Sequence, residues 1–155
     1  MSASFGADKR LHRPEEFSVV LKSRRTIRGP SFVLHYRLAP EMSTSDANNQ
    51  AGAMRIGLIV PKRMAKASSL RNAIKRQGRE AFRLFCDARQ RSATYSGSVS
   101  SSVSEAAPEI TPPSLPGYDL VLRLTRPIKD IRASDGAAKK RWRAEIERLL
   151  QQLAP

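Results

Sequence analysis

Residues 69–83, Ser69-Leu70-Arg71-Asn72-Ala73-Ile74-Lys75-Arg76-Gln77-Gly78-Arg79-Glu80-Ala81-Phe82-Arg83, can bury only one side. Wound at about 100° per residue, Leu70, Ala73, Ile74, Ala81 and Phe82 fall on one face, joined by Phe85. Asn72, Lys75, Arg76, Arg79 and Arg83 fall roughly opposite, with Arg71 at the border. The apolar stripe needs a packed surface beneath it, so this helix belongs to a folded core. A solvated helix ordinarily mixes charge signs, because like charges one turn apart repel. Here residues 55–83 carry nine cations (Arg55, Lys62, Arg63, Lys66, Arg71, Lys75, Arg76, Arg79 and Arg83) against Glu80 alone. A cationic ridge held up by an apolar underside is built to hold a polyanion.

The rest of the chain agrees with that charge. Lys and Arg number 28 against 14 acids, a net charge of +14 over 155 residues. A concentrated basic patch is the electrostatic footprint of a nucleic-acid binder. A membrane surface fits less well, since the apolar face reads as core and no Trp flanks it. No apolar run approaches the roughly 18 residues of a membrane span. The N-terminus lacks an apolar signal region, so a cytoplasmic protein is expected. The one cysteine, Cys86, allows no internal disulfide and reads as packing. With only His12 and His35 besides, no metal-ligand spacing is present.

Residues 1–8 read as a disordered leader, and 9–153 as a single domain. A short helix is expected over 13–22, with Pro14 in its first turn and Phe17, Val20 and Leu21 on one face. A short edge strand follows at 24–28, then a strand at 32–38. Residues 39–53 offer nothing to bury and read as a flexible exposed loop. A buried strand over 55–60 ends at Pro61. Ser68 or Ser69 can cap the long helix, which is expected to run to about Gln90. Gly78 inside it costs roughly 1 kcal/mol relative to Ala, which close approach to a sheet would explain. Residues 91–117, with eight serines and four prolines, read as a flexible insert. A strand resumes at 118–124. Asp135 then caps a last helix whose Trp142, Ile146, Leu149, Leu150 and Leu153 keep helical spacing and read as core. The order α-β-β-β-α-β-α predicts an α/β chain folded as an α+β sandwich, one four-stranded mixed sheet with packed helices. Its strand–helix–strand unit would ordinarily cross over right-handed.

Catalytic chemistry is missing from this pattern. There are no paired carboxylates on a recognisable site, no Gly-rich phosphate loop and no nucleophile motif. Asp119 and Asp130 could in principle take magnesium, but single acids beside arginines are usually structural pairs. Acids are too scarce near the basic helix for a two-metal nuclease. The chain therefore reads as binding RNA, with no catalytic residue and no metal ligand of its own.

Four collinear segments resemble the bacterial ribonuclease P protein family. The run from Arg71-Asn72 through Lys75-Arg76 and Arg79 to Phe82-Arg83 is similar to the family's signature helix. Lys9-Arg10-Leu11-His12-Arg13-Pro14-Glu15-Glu16-Phe17 looks like its N-terminal basic stretch and first helix. Arg55-Ile56-Gly57-Leu58-Ile59-Val60-Pro61-Lys62-Arg63 looks like its central strand and basic turn, and Tyr118-Asp119-Leu120-Val121-Leu122 like its last strand. The resemblance implies a left-handed βαβ crossover, against the default above. It also implies a division of labour, in which a catalytic RNA with bound Mg2+ removes the 5′ leader of precursor tRNA and a monomeric protein assists in a 1:1 particle. The implied contacts to the catalytic RNA are Lys62, Arg63, Arg71, Asn72, Lys75, Arg76, Arg79 and Arg83. Phe17 and His35 are the implied leader contacts, with Tyr36 the alternative to His35. Two positions depart from the family pattern: Ala73 replaces the second Arg of the commoner signature, and Leu21 stands where an aromatic often closes the leader cleft. A ribosome-associated RNA binder and a self-sufficient nuclease are the rival readings.

Overall fold

The computed structural model describes residues 5–39, 54–95 and 117–153. Within them lie α1 (Pro14–Lys22), β1 (Thr26–Arg28), β2 (Phe32–Leu38), β3 (Met54–Ile59), α2 (Ser68–Tyr95), β4 (Tyr118–Leu124) and α3 (Gly136–Gln151). The expected α-β-β-β-α-β-α order is observed, as an α+β fold on a four-stranded mixed sheet. The expected flexible loops 39–53 and 91–117 fall almost wholly outside the described residues. No helix among the described residues is long and apolar enough to cross a membrane.

The sheet order is β1-β2-β4-β3. β2 lies antiparallel to both β1 and β4, whereas β3 and β4 run parallel. A parallel pair needs a long crossover, and α2 lies in that connection. Side-chain alternation then sorts the strands between two faces. Phe32, Leu34, Ile56, Leu120, Leu122 and Leu124 join the main core, with Leu70, Ile74, Ala81 and Phe82 of α2 and Trp142, Ile146, Leu149 and Leu150 of α3. Ile56, Gly57 and the first five residues of β4 are buried, as expected of strands covered on both sides. The other face carries α1, whose Val20 packs with Leu11 and Val121, flanked by Phe17, Leu21 and Ile59.

Helix ends follow their chemistry. Asp135 Oδ1 accepts the Ala138 N–H at 3.0 Å and caps α3 as expected. At α1, Glu16 reaches back so that its Oε2 accepts the His12 and Arg13 N–H groups. α2 continues past the expected end at Gln90 to Tyr95, because no Gly or Pro interrupts it there. Gly78 is buried, and an added Cβ would meet Leu58 Cδ2 at 2.9 Å and Leu122 Cδ2 at 3.4 Å. Close approach of α2 to the sheet is thus the reason for its glycine.

Ordered chain begins earlier than expected. Residues 5–8 were assigned to the disordered leader, yet Ala7–Lys9 form a 3-10 turn. The Phe5 ring meets Phe82 edge-on with centroids 5.9 Å apart, and Arg10 lies over the Phe5 ring. Leu11 N–H then donates to the Ile56 carbonyl, so the strap also covers part of the outer edge of β3. One half-buried aromatic anchors the segment, set among polar residues that give no periodic signal.

Candidate nucleic-acid interface

The solvent side of α2 divides into engaged and unengaged cations. Arg83 donates to Glu80 at 2.6 Å and to Asp87 at 3.2 Å, an internally neutralised cluster that Arg143 also approaches. The Arg83 guanidinium holds the Glu80 carboxyl below its ordinary range, with Arg143 and Arg76 adding to the effect. Arg71 Nη1 donates to the carbonyls of Ala65 at 3.0 Å and Lys66 at 2.6 Å, bracing the turn between β3 and α2. Of the expected ridge, Arg71 and Arg83 are thus the two positions whose guanidinium groups have partners within the fold. Among the described residues, the side chains of Lys62, Arg63, Lys75, Arg76 and Arg79 make no hydrogen bond or ion pair. Asn72 and Arg76 are exposed, as are Lys62 and Arg63 in the turn. The core-facing side is as expected: Leu70, Ile74, Ala81, Phe82 and Cys86 are buried, while Ala73 is half-buried at its margin. Burial pushes the Cys86 thiol up to about 11, which leaves it an inert packing group.

A second surface lies on the α1 side of the sheet. Registry places His35 beside Val121 and Val121 beside Gly57. A Cβ on Gly57 would sit 2.2 Å from Phe17 Cε1, so the absent side chain is what seats the Phe17 ring on β3. His35 lies two strand spacings away, about 10 Å by ordinary sheet geometry. Tyr36 points the other way, into the main core and edge-on to Tyr118 at 6.3 Å. Of the two expected alternatives, His35 is the one on the α1 face.

Two cations on this face were not anticipated. Arg123 and Arg28 flank Val33 in register, and both act on His35. Burial chiefly, then Arg123, then Arg28, hold the imidazole below its ordinary value of 6.5. Its Nδ1 is buried without a hydrogen-bond partner among the described residues. A neutral ring bordered by two guanidinium groups can stack on a base while they hold its phosphates. The alternation of Asp119, Val121 and Arg123 along β4 was a signal for Arg123. Because the folded state resists protonation, the contribution of His35 to stability is complete above 6.5 and declines as pH falls below it. His35→Gln is expected to flatten that decline in urea melts taken across the acid side of neutrality.

Beneath α1, a charged clamp sets the floor of this surface. Asp119 is 2% exposed. It accepts from Arg55 Nε at 2.9 Å and Nη2 at 3.1 Å, and from Arg37 at 3.4 Å. Arg55 Nη1 continues to Glu16 at 2.8 Å and so fastens the start of α1 to β3. Burial alone would raise the Glu16 pKa; the Arg13 and His12 N–H groups and Arg55 bring it below the ordinary range. Asp119 is therefore a structural carboxylate engaged by two arginines. Among the described residues, no group of three or more His, Cys, Asp or Glu is placed to hold a metal ion.

A four-stranded mixed sheet with α2 and α3 on one face and α1 on the other makes this a small α+β protein with a basic surface. Residues 5–111 match the family model described as Ribonuclease P. The chain is 33% identical over 136 residues to the Ribonuclease P protein component of Azoarcus sp. strain BH72, covering 84% of this chain and 83% of that protein. It is 46% identical over 81 residues to the Bordetella petrii counterpart, covering 52% of this chain. The chain spans about three fifths of the length of the Bordetella relatives it matches (61% and 62%). The Staphylococcus aureus RNase P protein shares the fold, with a TM-score of 0.59 at 18% identity over 94% of this chain and 95% of that one. The chain belongs to the ribonuclease P protein family.

Proposed function

We propose that this chain is the RNA-binding protein subunit of ribonuclease P. In this reading it binds a catalytic RNA through α2 and the 5′ leader of precursor tRNA on the α1 face, assisting endonucleolytic removal of the leader in the cytoplasm. The observation that carries it is the set of cations without a side-chain partner, Lys62 and Arg63 in the turn and Lys75, Arg76 and Arg79 on α2, on a chain of this family. Arginine can grip phosphates through its forked donors and lysine as a point charge, while Asn72 adds an amide. Arg71 contributes by shaping the basic turn, and Arg83 by tying α2 to its own acids. Mg2+ and the hydrolytic chemistry belong to the RNA, and one protein serves one RNA.

The two protein surfaces then do separate work. Cations on α2 offset phosphate repulsion during assembly. Phe17 and His35 offer flat surfaces to an unpaired leader, whose phosphates Arg28 and Arg123 can hold. Leu21, half-buried beside Phe17, adds apolar contact without an aromatic face.

Precursor tRNA cleavage at low Mg2+ tests this, using catalytic RNA alone, protein alone and both together. Cleavage that needs the RNA and is stimulated by the protein is expected. Cleavage by protein alone would favour a self-sufficient nuclease, and no stimulation would favour a ribosome-associated RNA binder. Phe17→Ala is expected to reduce the preference for precursor over mature tRNA while assembly is retained. Gly57→Ala is expected to act alike, because its Cβ would displace the Phe17 ring. Equal affinity loss for both tRNAs would instead mark a folding defect.

A further inference from the structure

β1 and β4 finish and β2 begins at the same end of the sheet, where Arg28 pairs with Val33 and Phe32 with Leu124. There the turn 29–31, the segment 126–131 and α3 surround an open cavity of about 830 Å³. Arg28, Arg126, Lys129, Arg141 and Arg148 line it, and all five are exposed. Among the described residues, none of their side chains makes a hydrogen bond or ion pair. The only carboxylate in the lining, Glu145, is already engaged: its Oε1 accepts the N–H groups of Ser31 at 2.6 Å and Phe32 at 2.9 Å. That bond pins the β1–β2 turn to α3 and holds the cavity's shape.

Five uncompensated cations around one hollow repel each other and suit an anion. Their spread points to a chain of phosphates, since Arg141 and Arg148 alone stand two helical turns apart, about 10 Å. Arg28 also connects the cavity to the α1 face, where its charge acts on His35. We propose that the cavity is a second RNA site, taking the phosphates of leader nucleotides beyond those held near Phe17 and His35. The proposal rests on the leader-binding reading above. The cavity lies at the β1–β2 turn on the α3 side of the sheet, so a leader would pass from the α1 face around Arg28 to reach it.

The test uses reconstituted holoenzyme with the triple variant Arg126→Ala, Lys129→Ala, Arg148→Ala. Its substrates are mature tRNA, precursor with a leader that ends near His35, and precursor with a leader long enough to pass the β1–β2 turn. Wild-type holoenzyme is expected to bind the long-leader substrate on the order of tenfold more tightly than the short one, with a salt dependence steeper by about 2 in log–log slope. The variant, with an unchanged thermal melt, is expected to lose both increments and keep short-leader binding and assembly. An increment that survives in the variant overturns the proposal. So does an equal loss for mature tRNA or for the catalytic RNA, which would assign the cations to another RNA surface. Wild-type discrimination of the short leader with no gain from the long one defeats the cavity alone. No leader discrimination at all defeats the reading beneath it as well.

Discussion

Replacing Lys75, Arg76 and Arg79 together with alanine is expected to weaken binding to the catalytic RNA on the order of 10²- to 10³-fold. Each is a charged donor whose side chain makes no hydrogen bond or ion pair among the described residues, and at about 1.5 kcal/mol for a net charge-assisted contact three sum to roughly 10³-fold, the upper end of that range. Folding should hardly change, since no ion pair or hydrogen bond within the described residues is lost and alanine is the better helix former. The salt dependence of assembly should become shallower by about 2 in log–log slope. Filter binding across a salt series reads both quantities. Arg83→Ala provides the contrast: its partners are Glu80 and Asp87, so its loss should register in stability more than in affinity.

Asp119→Ala is expected to be the most damaging single change to the fold. The carboxylate is buried between β2 and β3, and removing it leaves Arg37 without its ion-pair partner and Arg55 with Glu16 alone. Breaking a buried pair from one side costs about 3–5 kcal/mol. The lower end applies here, because the Arg37 and Arg55 side chains keep 34% and 31% of their exposure and can hydrate. Asp119→Asn keeps the volume and removes the charge, so a similar fall in urea midpoint would assign the loss to electrostatics rather than to a cavity. The clamp reaches Glu16 at the start of α1, so both variants should also reduce leader discrimination at temperatures where they remain folded. A loss under about 1 kcal/mol would mean that surface charges elsewhere hold α1 in place.

Much of this architecture was legible because periodicity reports burial directly. Leu70, Ile74 and Phe82 recur at helical spacing and lie under α2, while Trp142, Ile146 and Leu149 do the same for α3. Gly78 was readable as a close approach, since its cost inside a helix needs a reason. What escaped was information held between segments. Nothing local says that β4 inserts between β2 and β3, and only that order brings His35, Val121 and Gly57 into one row. Arg71 presents itself as a border cation until the turn before α2 offers two carbonyls to it. Arg83 was partly readable, because Glu80 and Asp87 stand three and four residues away, at the spacing that pairs on a helix.

The proposed division is spatial, with α2 against the catalytic RNA and α1 against the leader. Hydroxyl-radical cleavage from a reagent tethered at either helix measures this directly, using Arg76→Cys for α2 and Ser18→Cys for α1, since Ser18 is exposed. The native Cys86, buried with its thiol pKa near 11, should stay unlabelled. In the assembled particle with precursor tRNA, the account predicts scission of the catalytic RNA from position 76 and scission of the leader from position 18. Leader cuts from position 76, or catalytic-RNA cuts arising only from position 18, would contradict it.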